Sequence, residues 1–283
     1  MKILLAKLNH LGDTLLMTPT LRRLREEFPD ARIDVLVRRG CEVMLHGNSD
    51  VDRVVSIAPP EKSHRSWGGA LRDLGSACSA LLFRRYDYAF DLSDSDRSKF
   101  WIALSLSRNR VVNAAYELRP INRWLFNQFN RFDWKQEHMV LRDYRTVIDT
   151  LGLDGDPGPL IYRSKVAAAE LESRVPVDVL SGGGILIHPT SRWRCKEWVA
   201  ERWAAVADQL GKKYGLTIAV TGGPAVAEIA HAEAIRSAAR SKVHVLAGKL
   251  SLAETAWLIG RARIFLGVDT AAMHLAAAQK TPA

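Results

Sequence analysis

The residues best able to do chemistry sit in short loops that follow apolar runs. The stretch His188-Pro189-Thr190-Ser191-Arg192-Trp193-Arg194-Cys195-Lys196-Glu197-Trp198 leaves one such run and precedes a helical pattern. A strand-to-helix junction points unpaired N–H groups and the positive end of the helix dipole outward, so it suits anions. Thr190 and Ser191 add hydroxyl donors, and Lys196, with Arg192 and Arg194 beside it, adds charge that could neutralise a diphosphate. A solvated basic loop accounts for Arg194 alone; Thr190, Ser191 and Lys196 together favour phosphate. The turn Thr221-Gly222-Gly223-Pro224 lets a ligand approach backbone closely, although such turns are common. A third junction, Val268-Asp269-Thr270-Ala271-Ala272-Met273-His274, offers Asp269 or Thr270 as a helix cap. His274 lies one turn inside that helix, where a lone histidine more often packs than ligates.

In the N-terminal half, Asp13 follows the turn Asn9-His10-Leu11-Gly12 and is placed to cap the next helix. A carboxylate there could also take a proton from a substrate hydroxyl, and the helix N-terminus keeps it ionised. Asp91-Leu92-Ser93-Asp94-Ser95-Asp96-Arg97 contains an Asp-x-Asp of the kind that holds Mg²⁺ under a nucleotide diphosphate. It lies far from the phosphate loops in sequence, and Lys196 supplies charge without a metal, so a capped turn is the expectation and no metal is called. Between Arg97 and Arg145 basic residues outnumber acidic ones, with Trp101, Trp124, Phe126, Phe129, Phe132 and Trp134 interleaved. That mixture suits nucleic acid, a phosphorylated glycolipid or a membrane interface. No nucleic-acid motif accompanies it, so an anionic lipid or sugar acceptor is preferred.

These loops need elements to position them, and the chain alternates strand-like and helix-like segments throughout. Strands are expected at Ile3–Leu8, Arg32–Val37, Val51–Ile57, Tyr88–Leu92 and Val111–Ala114. Helices are expected at Thr14–Phe28, with a kink or late start at Pro19, and at Trp67–Phe83, Ser98–Ser107 and Met139–Leu151. Glu117–Gln136 holds neither period for long. After the breaker run Asp154–Pro159 comes a polar helix, Ser164–Arg174, and Pro176–Gly184 reads as the entry to a new unit. A second series follows: strands Ile185–His188, Thr217–Thr221, Val243–Leu246 and Ile264–Gly267, with helices Val199–Tyr214, Ala225–Ala239, Leu252–Arg261 and one from about Thr270. Repeated β-turn-α units imply parallel sheets covered on both faces. The domains are therefore set at 1–175 and 176–283, two doubly wound sheets facing a cleft. The end at Ala283, where another strand is expected, reads as a truncated C-terminal domain.

At 283 residues the chain fits about two domains at a prior of ~150 residues each. Its 47% apolar and 25% charged residues exclude a disordered chain, and a net charge of +9 points to an anionic partner. Three scattered cysteines without a CxxC pair argue for a reducing compartment and against structural zinc. No run reaches the ~18 apolar residues of a membrane span, and the N-terminus lacks a signal cleavage site, so a cytoplasmic location is expected.

The opening KILLAKLNHLGDTLLMTPTLRRLREEFPDARIDVLV, the stretch GNSDVDRVV, the loop HPTSRWRCKEW, the turn TGGP and the string LAGKLSLAETAWLIGRARIFLGVDTAAMHLAAAQKTPA resemble bacterial ADP-heptose:lipopolysaccharide heptosyltransferases, glycosyltransferase family 9. HLGD, DLSDSDRS, EHMVLRDY and HPTSRW look most like the heptosyltransferase III subgroup of the inner core. The resemblance implies a GT-B fold of two Rossmann-like domains, no metal and no cofactor. The C-terminal domain would bind the donor ADP-heptose. The N-terminal domain would bind an anionic lipid-A-core glycolipid, with peripheral contact to the cytoplasmic face of the inner membrane and no role for nucleic acid. Asp13 matches the family's catalytic base for an inverting transfer. Thr190, Ser191 and Lys196 match the diphosphate positions, Asp269 and Thr270 the donor-sugar contact and its neighbouring cap, and Leu250 an apolar position beside the adenine. Gly222, Gly223 and His274 complete the donor-side candidates. Where the family often has Glu two residues after Gly-Gly-Pro, this chain has Val226, and Glu228 is the substitute for the ribose contact. His10, Lys62, Arg65, Asp94, Arg97, Arg119 and Arg123 are the acceptor-side candidates.

Two other classes compete. Another GT-B nucleotide-sugar transferase or an epimerase shares the phosphate loops, and an epimerase needs no acceptor. A non-enzymatic nucleotide- or anion-binding protein would show no turnover, and on oligonucleotides a steep salt dependence.

Overall fold

A run such as Ile3-Leu4-Leu5-Ala6 is apolar at successive positions because a parallel strand is covered on both faces. The computed structural model, which describes all residues except 59–74, 76–77, 116–117, 134, 136 and 164, places this run in β1 (Lys2–Lys7). Contacts divide the chain into two compact units, Met1–Ile161 and Tyr162–Ala283. Among the described residues no helix is long and apolar enough to cross a membrane.

The first unit carries β1, β2 (Arg32–Arg38), β3 (Arg53–Ile57), β4 (Tyr88–Asp91), β5 (Asn109–Asn113) and β6 (Gln128–Asn130) in one parallel sheet of order β3-β2-β1-β4-β5-β6. Ile3 and Leu5 face a cluster built by Met17, Leu21, Tyr144 and Val147, whereas Leu4 and Ala6 face Trp101, Ile102 and Phe126. Helices α2 (Thr18–Glu27) and α5 (Met139–Ile148) thus cover one face, and α3 (Asp96–Leu104) covers the other. The kink expected at Pro19 is a break at Met17 between α1 (Leu11–Leu16) and α2, where the Thr18 hydroxyl donates to the Leu15 carbonyl at 2.8 Å. The ambiguous segment Glu117–Gln136 contains α4 (Pro120–Leu125) and the edge strand β6. Most of the helix expected at Trp67–Phe83 lies outside the described residues.

The second unit has a four-stranded parallel sheet, order β10-β7-β8-β9, from β7 (Ile185–His188), β8 (Ile218–Val220), β9 (Val243–Val245) and β10 (Ile264–Gly267). Between them run α7 (Ala200–Tyr214), α8 (Val226–Ala238) and α9 (Leu252–Ile259). The short α6 (Val177–Leu180) precedes β7, and α10 (Ala271–Ala278) follows β10. Trp203, Ala207, Ala232 and Ile235 bury the inner faces of α7 and α8 against Ile185, Ile187, Ile218 and Val220.

Two expectations differ here. Among the described residues of the expected helix Ser164–Arg174 no α-helix forms; a 3₁₀ turn at Ala168–Glu170 stands in its place. Its helix formers carry no apolar stripe, so packing gives a longer helix nothing to bury. The second unit also begins earlier than residue 176, at Tyr162. Arg174 pairs with Glu254 and donates to the Lys249 carbonyl at 2.8 Å, and Gln279 donates to the Tyr162 carbonyl at 3.4 Å. The Arg174 guanidinium holds the Glu254 carboxyl down at about 2.

Glycine is required at 184, immediately before β7, because a Cβ there would lie 2.6 Å from the Thr217 carbonyl oxygen, itself the acceptor for the Ile185 N–H. Gly184→Ala is expected to cost about 1–3 kcal/mol of stability by forcing β7 from β8. The shift in denaturant midpoint, followed by tryptophan fluorescence, measures it; an unchanged midpoint contradicts the close approach.

Candidate functional site

Both sheets reverse their strand order once. In the first unit this happens between β1 and β4, and in the second between β7 and β10. Open parallel sheets bind ligands outside the carboxyl ends of the strands at such a point. The loops singled out in the sequence leave these strand ends.

In the second unit, the loop after β7 holds Thr190, buried, with its hydroxyl donating to Glu228 Oε2 at 2.9 Å. The same oxygen accepts the Gly223 N–H at 2.7 Å, so Glu228 ties the loop after β7 to the Gly222-Gly223 turn after β8. A Cβ at Gly223 would meet the Glu228 carboxylate at 2.8 Å. Val226 is exposed at the start of α8. Ser191 offers its N–H to Glu197 Oε1 at 2.8 Å, and its hydroxyl oxygen accepts the Trp193 N–H at 3.3 Å. Lys196, the last residue of a 3₁₀ turn, forms a close ion pair with Asp269, so the loops after β7 and β10 meet through their charges. Thr270 is the cap of α10, its hydroxyl accepting from Ala272 N at 3.2 Å, which leaves Asp269 outside the helix. His274 is half-buried inside α10, and Leu250 is half-buried just before the Ser251 cap of α9. Beneath the loops His188 is held neutral-leaning by burial, with its Nδ1 3.0 Å from the Thr221 hydroxyl.

In the first unit, the capping expectation for Asp13 is corrected by three residues of helix. α1 starts at Leu11 with His10 as its cap, and Asp13 is the third helical residue, its Oδ2 accepting the His10 N–H at 3.0 Å. The helix starts early because this reciprocal contact satisfies an otherwise orphaned backbone donor. His10 Nδ1 lies 3.2 Å from the Arg38 guanidinium. After β4, Asp94 takes a left-handed backbone, φ +53°, and Ser95 caps α3 by accepting from Ser98 N at 3.1 Å. Asp94 and Asp96 of the Asp-x-Asp turn toward different cations: Asp94 is 3.8 Å from Arg142, Asp96 3.0 Å from Arg119. Among the described residues no three His, Cys, Asp or Glu side chains gather as a metal site. Arg97 donates to the Ala58 carbonyl, and burial lowers its guanidinium. Arg119 and Arg123 sit exposed at the start and middle of α4. Lys62 and Arg65 lie outside the described residues.

Sequence reading missed the charged residues beneath this edge. Lys7, the last residue of β1, is fully buried and 2.5 Å from Asp143 Oδ2, also fully buried. Arg142 lies 3.0 Å from Asp143 Oδ1, and Lys99 lies 3.7 Å from Asp91. The signal available was a lysine inside an otherwise apolar strand. Burial pushes the Lys7 ammonium down, with Asp143 opposing, and lifts the Asp91 carboxyl to about 6.

The sequence pattern of Glycosyltransferase family 9 (heptosyltransferase) matches residues 76–283, well over half the chain. The chain belongs to this family. It is 27% identical over 277 residues to lipopolysaccharide heptosyltransferase 3 of Escherichia coli, covering 96% of this chain and 78% of that one. To lipopolysaccharide heptosyltransferase 1 of Salmonella typhimurium it is 25% identical over 289 residues, covering 100% and 86%. The fold matches that of a family 9 glycosyltransferase from Veillonella parvula, with TM-score 0.84, 21% identity and coverage of 99% and 78%. It also matches the E. coli heptosyltransferase WaaC solved with ADP-2-deoxy-2-fluoro heptose, with TM-score 0.81, 23% identity and coverage of 100% and 87%. This family 9 glycosyltransferase thus has the two Rossmann-like sheets of the GT-B heptosyltransferases.

Asp91 gives a pH test. Its folded value near 6 exceeds the ordinary 3.8, so the folded state holds the proton more tightly than the unfolded chain. The stabilisation is complete below about pH 4 and is lost as pH rises through about 6. Asp91→Asn mimics the protonated form, so melting temperatures should show wild type losing ground to the variant between those values. Parallel curves contradict the shift.

Proposed function

We propose that this family 9 glycosyltransferase transfers L-glycero-D-manno-heptose from ADP-heptose to a hydroxyl of the lipopolysaccharide inner core, with inversion. The supporting observation is the pairing of chemistries at the two sheet reversals. A half-buried carboxylate, Asp13, lies after β1, and hydroxyl, backbone and ammonium donors lie after β7, β8 and β10. The E. coli relative's name, and the ADP-heptose analogue bound to a protein of the same fold, support this choice of substrate class.

In this reading the first unit takes the acceptor and the second the donor. Thr190, Ser191 and Lys196 hold the diphosphate, with Gly222 and Gly223 giving it backbone access. Asp269, Thr270 and His274 lie toward the donor sugar, Leu250 toward the adenine. Glu228 already serves Thr190 and Gly223, so it shapes the cradle whether or not it also reaches the ribose. Lys196 must leave Asp269 to meet the donor, and that exposed pair is cheap to open. The acceptor oxygen attacks the anomeric carbon as the bond from that carbon to the diphosphate oxygen breaks. ADP departs with the bonding electrons, Asp13 takes the hydroxyl proton, and Lys196 offsets the charge developing on the leaving phosphate. His10, Asp94, Arg97, Arg119 and Arg123, with Lys62 and Arg65, form the acceptor side. The proposed setting is the cytoplasmic face of the inner membrane, with no metal or cofactor required.

Two variants separate the roles. Asp13→Ala should lower kcat by about 10²–10⁴-fold while leaving ADP affinity near wild type. Lys196→Ala should weaken ADP binding by about 10- to 100-fold, since it removes a charge-assisted contact. Calorimetry with ADP and mass spectrometry of products from ADP-heptose and truncated core oligosaccharides read both. Transfer at wild-type rate by Asp13→Ala, or no heptose added to any acceptor, overturns the reading.

A further inference from the structure

The charges beneath the first sheet's reversal form a network that joins three segments. Lys7 Nζ, at the end of β1, reaches Asp143 Oδ2 at 2.5 Å and donates to the Leu92 carbonyl at 2.9 Å. Arg142, beside Asp143 on α5, donates to the same Leu92 carbonyl at 2.7 Å and to Asp143 Oδ1 at 3.0 Å. Ser93 completes the link: its hydroxyl oxygen accepts the Leu8 N–H at 2.7 Å, and its O–H donates to the Ala6 carbonyl at 3.2 Å. The start of the β1–α1 loop is thereby clamped to the loop after β4 and to α5. Asp13 lies six residues beyond Lys7.

The charges of this network are buried together. Two buried cations, Lys7 and Arg142, share one fully buried carboxylate, Asp143. Asp94, 3.8 Å from Arg142, is the second carboxylate of the network. Core stability alone does not call for such an arrangement, because an apolar replacement of similar volume is often neutral or stabilising.

We propose that Lys7 and Asp143 are positioning residues for Asp13: the buried pair fixes the start of the β1–α1 loop that leads to the base. This rests on Asp13 being the base. Asp143 acts through Lys7, and Lys7 acts through the loop backbone, so neither needs to touch substrate.

The test is the double variant Lys7→Met/Asp143→Asn, which removes opposite charges together. It should melt close to wild type, and its kcat, measured well below the melting temperature, should fall by about 10- to 100-fold. KM for acceptor and donor should stay near wild type, which a merely structural defect in the first unit would not spare. Wild-type kcat in a folded double variant overturns the proposal. If the double variant does not fold, Asp143→Glu carries the test, since it keeps the charge and moves the anchor by one methylene. There, about tenfold lower kcat at unchanged KM supports the role, and wild-type kcat overturns it. Asp13→Ala run alongside keeps the two ideas apart. Normal turnover in it removes the base itself, whereas lost turnover in it, with wild-type kcat in the network variants, removes only the network's role.

Discussion

An ammonium without access to water must meet a carboxylate or give up its proton, and Lys7 has no access to water. It ends the central strand of the first sheet, with β2 on one side and β4 on the other. Asp143 answers it from α5, and in doing so sets where α5 can sit along the sheet. The Leu92 carbonyl, accepting from both Lys7 and Arg142, sets where the chain leaves β4. Removing one member alone leaves a buried charge unmet, at about 3–5 kcal/mol. One interaction therefore constrains a strand end, a helix and the loop after β4 that carries Asp94.

The second unit solves the same geometric problem without buried charge at its centre. Its strand ends are capped by hydroxyls and a carboxylate: Thr190 and Gly223 share Glu228, and Thr221 bonds both His188 and the Ile187 carbonyl. The cations there stay outside, exposed on the loop after β7. The loop after β7 thus sets exposed positive charge over a backbone held by Thr190 and Glu228.

Much of the fold was legible because burial on both faces of a parallel sheet writes itself as short apolar runs between turns. β7 and β10 fall at the expected residues for that reason. β6 was invisible: Gln128-Phe129-Asn130 is a three-residue edge strand with little buried side chain to mark it. The helix over Ser164–Arg174 was expected from propensity, and propensity without an apolar stripe does not hold a helix against the sheet. The loops of the candidate site were legible because small, hydroxyl and charged residues interrupt the pattern at strand ends. Lys7 with Asp143 was not, since the partners are 136 residues apart and each alone reads as an ordinary charge. Only the topology, by bringing α5 over β1, makes them a pair.

The two lysine–aspartate pairs show how burial divides labour between charges of the same kind. Lys7–Asp143 is sealed, at 0% exposure on both sides, whereas Lys196–Asp269 is open, at 40% and 58%. An exposed pair contributes about 0–1 kcal/mol, so its members can exchange each other for a ligand at little cost. A sealed pair cannot be opened without stranding a charge, so its members are held for the life of the fold. On the proposed function, a lysine that follows a diphosphate on and off the protein is of the first kind, and one that holds the loop leading to Asp13 in register is of the second. Their positions match that difference: Lys7 ends the buried strand β1, and Lys196 ends a 3₁₀ turn in the loop after β7.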